Sequence, residues 1–231
     1  MNGGRAAARA ALLLGTCAVL AVVLLAGVHE LTREPIAEAE RAAELQALAM
    51  VLPPDRYDND PFEDRVRVQA EAWLGAAPAV TVRRARLQGR PSALVVPVVA
   101  ADGYAGPIHL LVGIDTQGRI LGARILRHQE TPGLGDWIDA GKSDWIDRFR
   151  GRWLGDPPVP RWRVRKDGGD FDAFAGATVT PRAVVAALRR ALQYVRRHGQ
   201  ELYAAPAGSE LRHSDGPPPP GSDAAATEPA P

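Results

Sequence analysis

The hydrophobic and polar positions fall into distinct regimes along the chain. From Ala10 to Val28 no charged residue occurs; as a helix this run measures about 28 Å. Residues 30–52 then place Ile36, Ala39, Ala43, Leu45, Leu48 and Leu52 at roughly helical spacing, which predicts a helix with Pro35 near its start and Pro53-Pro54 at its end. Residues 55–65 are polar and read as a loop. The pattern then becomes strand-like: Val80 to Leu87 alternates weakly, and Ala93 to Val99, Ile108 to Ile114 and Ile120 to Leu126 are apolar runs. Their connections, residues 101–107 and Asp115 to Gly118, are Gly/Asp turn sequences short enough to imply an antiparallel meander.

Further on, Thr131-Pro-Gly-Leu-Gly135 reads as a Gly-rich loop, and Ser143 suits the cap of a short helix carrying Trp145, Ile146 and Phe149. Arg161 to Lys166 is expected to be another strand. Residues 181–197 form the strongest amphipathic pattern. Val184, Leu188, Ala191, Leu192 and Val195 line one side, and Arg182, Arg189, Arg190, Arg196 and Arg197 the other. From Ala204 onward the last 28 residues contain seven Pro and one large aliphatic, Leu211. A disordered tail is expected, because so little apolar surface cannot offset the entropy of ordering.

Composition sharpens this outline. In 231 residues, 28 Lys/Arg against 27 Asp/Glu leave a net charge of +1, without the basic excess of a nucleic-acid binder. The balance conceals separation: residues 30–71 carry eleven acidic and five basic side chains, residues 161–200 nine basic and three acidic. The single cysteine, Cys17, excludes a disulfide framework and a Cys-rich metal site. The uncharged run just matches a bilayer core of about 30 Å. Arg5 and Arg9 precede it and no basic excess follows, so positive-inside logic places residues 1–9 in the cytoplasm and the rest outside. A cleaved secretory signal is the competing reading, although the apolar run is longer than such signals use. The expected organisation is a cytoplasmic 1–9, a membrane helix 10–28, a juxtamembrane helix and linker 29–65, an exported domain 66–203 and a tail 204–231.

The chemistry concentrates in Asp170-Phe-Asp-Ala-Phe-Ala-Gly-Ala-Thr-Val-Thr180-Pro-Arg182. Gly176 and Ala177 permit close backbone approach, and Thr178 and Thr180 supply hydroxyls. Pro181 suits a first helical position, which makes Thr180 the expected N-cap. A helix N-terminus with basic surroundings favours a phosphate. The same residues equally suit a Thr-Pro cap with no further role.

The segment resembles the flavinylation site of covalent-FMN domains in bacterial ion-translocating redox complexes, with Asp172, Gly176, Ala177, Thr178 and Thr180 in matching places. The likeness extends through His128-Gln-Glu-Thr-Pro-Gly-Leu-Gly135-Asp136, Asp102-Gly-Tyr-Ala-Gly106, Leu110-Leu-Val-Gly113 and Lys166-Asp-Gly-Gly-Asp-Phe-Asp172. Over roughly residues 10–200 the chain is similar to the G subunit of the Rnf (or Rsx) electron-transport complex. The resemblance implies FMN joined by a phosphoester to Thr180, delivered from FAD by a separate flavin transferase that recognises Asp172. Thr178 is the rival acceptor. Ala175 departs from the family pattern, which has Ser or Thr there.

The resemblance also implies that Gly176, Ala177 and Thr178 line the cofactor. The loop bearing Glu130, Thr131, Gly133 and Leu134 is implied to pack on the flavin ring. Lys166 is then a phosphate or ring contact, or else a surface charge. Trp145 is either a stacking partner or core. His128 and Glu130 are not expected to form a metal site, because no further ligand cluster accompanies them.

The implied function is electron relay within a membrane complex that couples ferredoxin and NAD chemistry to ion movement, or that keeps a redox-sensing regulator reduced. The chain acts there as a redox subunit rather than an enzyme on its own. The expected partners are the other complex subunits, the transferase and the inner membrane, with the main domain periplasmic. Two alternatives are the C subunit of a sodium-translocating NADH:quinone reductase and a non-redox exported scaffold. The expected fold is α+β: an N-terminal membrane helix, then a largely antiparallel sheet with flanking helices.

Overall fold

A computed structural model describes residues 3–76 and 79–218. It separates into two compact units, residues 1–46 and 47–231. The first belongs to α1 (Gly3–Val51), whose backbone continues through Pro35. The expected helix over residues 30–52, with Pro35 near its start, is thus corrected to a longer one: proline withholds one main-chain donor there without ending the helix. Among the residues described, no helix is long and apolar enough to cross a membrane. The expected span 10–28 lies partly outside the described side chains, those of Cys17 and Val28 included.

The second unit is built on one sheet. β1 (Arg65–Gln69), β2 (Val80–Leu87), β3 (Arg90–Ala100), β4 (Ile108–Asp115), β5 (Ile120–Arg127) and β6 (Glu210–Arg212) lie in the order β5-β4-β3-β2-β1-β6. The expected meander is present: β2, β3, β4 and β5 pair antiparallel in succession. Gln88 and Gly89, with φ of 52° and 73°, supply the two left-handed residues of the β2–β3 hairpin turn.

The strands read as continuous apolar runs because both sheet faces are covered. Leu94, Val96 and Val98 of β3 join the core beneath α3 (Val179–Ala204). Ala93 and Val95, on the opposite side, meet Leu48, Val51 and Leu52 at the end of α1. Gly113 and Gly122 make that second contact possible. A Cβ at Gly113 would lie 2.1 Å from the Val51 carbonyl oxygen, and one at Gly122 2.8 Å from that of Met50.

Two expectations at the carboxyl end are corrected. Residues 204–218 are not featureless: β6 pairs in parallel with β1, matching Val68 to Leu211, and Gly208 N–H donates to the Arg65 carbonyl. Main-chain pairing at a sheet edge supplies the order that side-chain burial alone does not. The last part of that expected tail, 219–231, lies outside the described residues. Arg161 to Lys166 is not a strand but part of two 3₁₀ turns, Val159–Arg161 and Arg165–Asp167. Its alternating Arg residues face solvent and Trp162 and Val164 point into the core, but the pairing stops at a single bridge between Val164 and Phe171.

α3 is anchored at its C-terminus by Arg84, whose side chain is only 2% exposed. Its Nη1 donates to the carbonyl oxygens of Leu202 at 2.9 Å and Ala205 at 2.5 Å, and its Nε donates to Asp64 at 2.6 Å. A cation at the negative end of a helix thus satisfies carbonyls that have no helical partner.

Candidate functional site

An aromatic cluster fixes the approach to α3. Trp145 meets Phe149 edge-on at 5.0 Å and Phe174 at 5.4 Å, and Phe149 stacks on Phe171 at 4.7 Å. The expected cap at Ser143 is corrected: the short helix is a 3₁₀ turn, Ile146–Phe149, preceded by Trp145 with no side-chain cap, and Ser143 Oγ accepts from Trp145 N–H at 3.1 Å in the approach to it. The Trp145 indole N–H donates to the Asp172 carbonyl at 2.9 Å. Trp145 is 4% exposed and belongs to this core cluster. The Asp172 carboxylate, half-exposed, pairs with Arg148 at 3.0 Å and Arg165 at 2.9 Å.

From this anchor the chain turns at Phe174–Ala177, where Gly176 has φ 79°, and enters α3. The expected N-cap is corrected. Thr178, not Thr180, precedes the helix, and Arg182 N–H donates to the Thr178 carbonyl at 3.2 Å. Pro181 is accommodated one turn in because the N–H groups of a first turn have no helical acceptor. Thr178 makes no capping side-chain bond. Thr180 is freed from capping and is 1% exposed.

The structure brings the loop after β5 directly onto this turn. Thr180 Oγ1 donates to Glu130 Oε2 at 2.5 Å. Glu130 is itself buried, and its Oε1 accepts from Ala105 N–H at 3.1 Å. Gly135 is wedged against both side chains: a Cβ there would lie 2.8 Å from Glu130 Oε2 and 2.9 Å from Thr180 Oγ1.

The loop holds its own shape. The Thr131 carbonyl accepts from the N–H groups of Leu134 and Gly135 at 3.1 Å, and Gly133 N–H donates to Asp136 at 2.8 Å. Leu134 is 46% exposed, and its Cδ2 lies 3.9 Å from where a Gly176 Cβ would stand. Lys166 is exposed on the turn next to Asp167, which ion-pairs with Arg182 in the first turn of α3. His128 and Glu130 serve a turn, with Glu130 N–H donating to His128 Nδ1 at 3.1 Å.

The two segments singled out in sequence, 130–134 and 176–180, therefore form one site. Sequence reasoning missed two of its features. Trp137 stands 44% exposed beside the loop and donates its indole N–H to the Gly133 carbonyl at 3.1 Å. Gly103 packs so closely that a Cβ there would lie 2.9 Å from Glu130 Oε1. The Asp102–Gly106 motif was the available signal for the second.

A separate cluster escaped the sequence reading. His198, Glu201 and His213 offer ligand atoms within 4.8 Å of one another. The two imidazoles stack at 4.0 Å and 20°, so their in-plane lone pairs run side by side instead of converging.

Comparison with known proteins first defines the class. Residues 103–193 match the model of an FMN-binding domain, and residues 1–51 match that of the RnfG N-terminal region. The G subunit of the ion-translocating oxidoreductase complex of Pseudomonas aeruginosa (strain UCBPP-PA14) is 49% identical over 200 residues, 87% of this chain and 94% of its own length. The corresponding G subunit of Vibrio atlanticus (strain LGP32) is 46% identical over 195 residues, covering 84% and 93%. The crystal structure of Shewanella oneidensis NqrC aligns with a TM-score of 0.44 and 21% identity over 69% of this chain and 74% of that one. The chain belongs to the family of G subunits of ion-translocating oxidoreductase complexes.

Proposed function

We propose that this chain is the FMN-carrying electron-transfer subunit of an ion-translocating oxidoreductase complex, with the flavin held by a phosphoester on Thr180. The observation that carries this reading is the assembly of the 130–135 loop on the 176–180 turn around the Thr180 hydroxyl. The assembly falls inside the stretch that matches an FMN-binding domain. When bound, FMN supplies the redox chemistry, while the protein sets its position and surroundings.

The residues present suit that group. Thr180 lies in the first turn of α3, where N–H groups without helical acceptors favour a phosphate. Leu134, Trp137 and Val179 offer exposed apolar surface for a flavin ring, and Gly176, Ala177 and Thr178 form the adjoining backbone. Lys166 is available to an anionic group. Because Thr180 is covered, the exposed stretch 131–134 has to shift for a transferase to reach it. Asp172, half-exposed and ion-paired, is the residue a flavin transferase would read.

Residues 10–28 serve as the membrane anchor in this reading, with residues 1–9 cytoplasmic and the domain from 66 to 203 periplasmic. In its support, the described side chains from Ala18 to Gly27 are exposed, and Val19, Leu20, Val22, Val23, Leu24 and Leu25 each remain at least 63% accessible. The similarity to G subunits of other bacteria favours this complex over a sodium-translocating quinone reductase.

The test is in-gel flavin fluorescence of the full chain after denaturation, with a flavin transferase co-expressed. Fluorescence that persists in wild type and vanishes in Thr180→Ala supports the reading. Persistence in Thr180→Ala overturns the assignment of the acceptor.

A further inference from the structure

The chain behind α3 does not trail away from the domain. His213 and Asp215 turn inward from it, between the exposed Arg212, Ser214 and Gly216. His213 N–H donates to the Gln69 carbonyl at 2.9 Å, the rung that follows β6. Its ring lies flat on that of His198 in α3, with centroids 4.0 Å apart and planes at 20°. The His213 and His198 side chains are 6% and 12% exposed. Trp73 of α2 (Glu71–Leu74) meets the His198 ring edge-on at 6.0 Å.

The hydrogen bonds of His213 suit an uncharged ring. The Tyr194 hydroxyl lies 2.8 Å from Nδ1 and the Glu201 carboxylate 3.1 Å from Nε2. The tautomer with its proton on Nε2 accepts from Tyr194 and donates to Glu201, which satisfies both nitrogens. A second ring proton has to go to Nδ1, where the Tyr194 hydroxyl then has to turn from donor to acceptor. Burial, with Glu201 and Asp215, pushes that hydroxyl well above its ordinary pKa, so it keeps its own proton.

The charges around the stack compensate one proton more readily than two. From α3, Glu201 faces both rings, at 3.1 Å to His213 and 3.8 Å to His198. From the tail, Asp215 stands 3.3 Å from His198 Nε2, but it is also paired at 2.7 Å with Arg197 of α3. From α2 comes the uncharged Trp73. Two imidazolium rings stacked at 4.0 Å repel each other strongly where water is largely excluded.

We propose that the stacked His198–His213 pair is an acid-sensitive clasp: it fastens residues 208–216 to α3 near neutral pH, and protons on both rings release them while the sheet and α3 stay folded. The direction follows from His198, which is held below the ordinary histidine value by burial first and then by His213, against Asp215 and Glu201. Once the tail lifts, the ring binds its proton near the ordinary value of about 6.5. The open form thus takes up the proton at a higher pH than the closed one. Closure is fully present above about 6.5 and is lost as pH falls below it. Thr180 lies at the other end of α3, about 27 Å away by helical rise, so the release is independent of flavin attachment.

The experiment is hydrogen exchange with mass spectrometry on the full chain in detergent, at about pH 7.5 and about pH 5, with rates corrected for the intrinsic effect of pH on amide exchange. The amides of Gly208 and His213 report the tail, and residues 94–98 of β3 report the sheet. Protection of residues 208–216 should fall at least about tenfold on acidification, since linkage allows up to about tenfold per pH unit for each proton taken up. Residues 94–98 should keep theirs. His213→Phe keeps a flat ring but offers no proton site, so the fall should shrink to that of one proton at most. With His198→Asn added it should vanish.

Wild-type protection that is equal at both pH values, or that falls as much in residues 94–98, would overturn the proposal. So would a full wild-type fall in the double variant. Should the double variant be open at both pH values, His213→Phe carries the test alone, and the wild-type slope persisting in it would overturn the proposal.

Discussion

Gly135 is pressed against Thr180 so closely that a single added methyl would stand 2.9 Å from the threonine hydroxyl oxygen. Gly135→Ala is therefore expected to force the loop off α3. The predicted loss is about 1–3 kcal/mol of stability, the usual result of overpacking. Urea unfolding followed by tryptophan fluorescence measures it. The same variant should show the Thr180–Glu130 contact opened, seen as faster amide exchange over residues 131–136. An unchanged midpoint together with unchanged exchange would mean that the contact is looser than these distances require.

Arg84 serves several partners with one side chain. Its removal takes one partner from Asp64, which keeps Arg86, and leaves the carbonyls of Leu202 and Ala205 without their donor. Arg84→Met should destabilise the domain by about 1–3 kcal/mol, the range for leaving buried acceptors unsatisfied. Asp64→Asn alone should cost less, because Arg84 keeps its carbonyl partners. Denaturation midpoints of the two variants would check both the size and the order.

Trp145 and Trp137 are expected to separate cleanly. Trp145→Ala empties the middle of an aromatic cluster and should cost about 3–5 kcal/mol. Trp137→Ala removes a half-exposed ring and should change stability by about 0.5 kcal/mol or less. Its effect should appear instead in the loop, as faster exchange at Gly133 to Gly135 once the bond to the Gly133 carbonyl is gone. A large stability loss from Trp137→Ala would contradict this division.

Acid should weaken the domain through two partly buried histidines. His198 is held below the ordinary histidine value by burial and then by the neighbouring His213, despite the carboxylates of Glu201 and Asp215. His109 is lowered in the same direction by burial and by Arg127. A depressed histidine pKa means that the unfolded chain takes its proton at a higher pH than the folded one. The stability of the neutral form is therefore fully present above the unfolded value of about 6.5, and falls as pH drops below it. Urea midpoints measured downward from about pH 7.5 should decline through that window. His198→Asn should flatten the slope; an equally steep decline in the variant would remove His198 from the account.

The sequence disclosed the parts of this fold that depend on periodicity. β3 and β4 announce themselves because both their faces are buried, and α3 because Val184, Leu188, Leu192 and Val195 recur at helical spacing. β6 was illegible, since three edge residues, Glu210-Leu-Arg212, order through main-chain bonds that composition does not encode. Both halves of the site could be named, but not their union. Glu130 and Thr180 stand 50 residues apart, and only the return of α3 across the sheet brings them together. The sequence left Trp145 open between core and stacking partner; its burial comes from Phe149 and Phe174 packed against it, with Phe171 stacked behind Phe149.

β6 has a bearing on how the protein behaves in solution. A bare β1 would offer neighbouring molecules a row of free main-chain donors and acceptors, the template on which sheets grow between chains. The three residues laid along it occupy those groups with the chain's own tail, and Glu210 and Arg212 put charge at the new rim. Proteolytic trimming behind α3 would thus leave the Glu130–Thr180 contact in place yet bare a sheet edge on which copies of the domain can pair, a hazard to guard against in any shortened version made for crystallisation or for reconstitution.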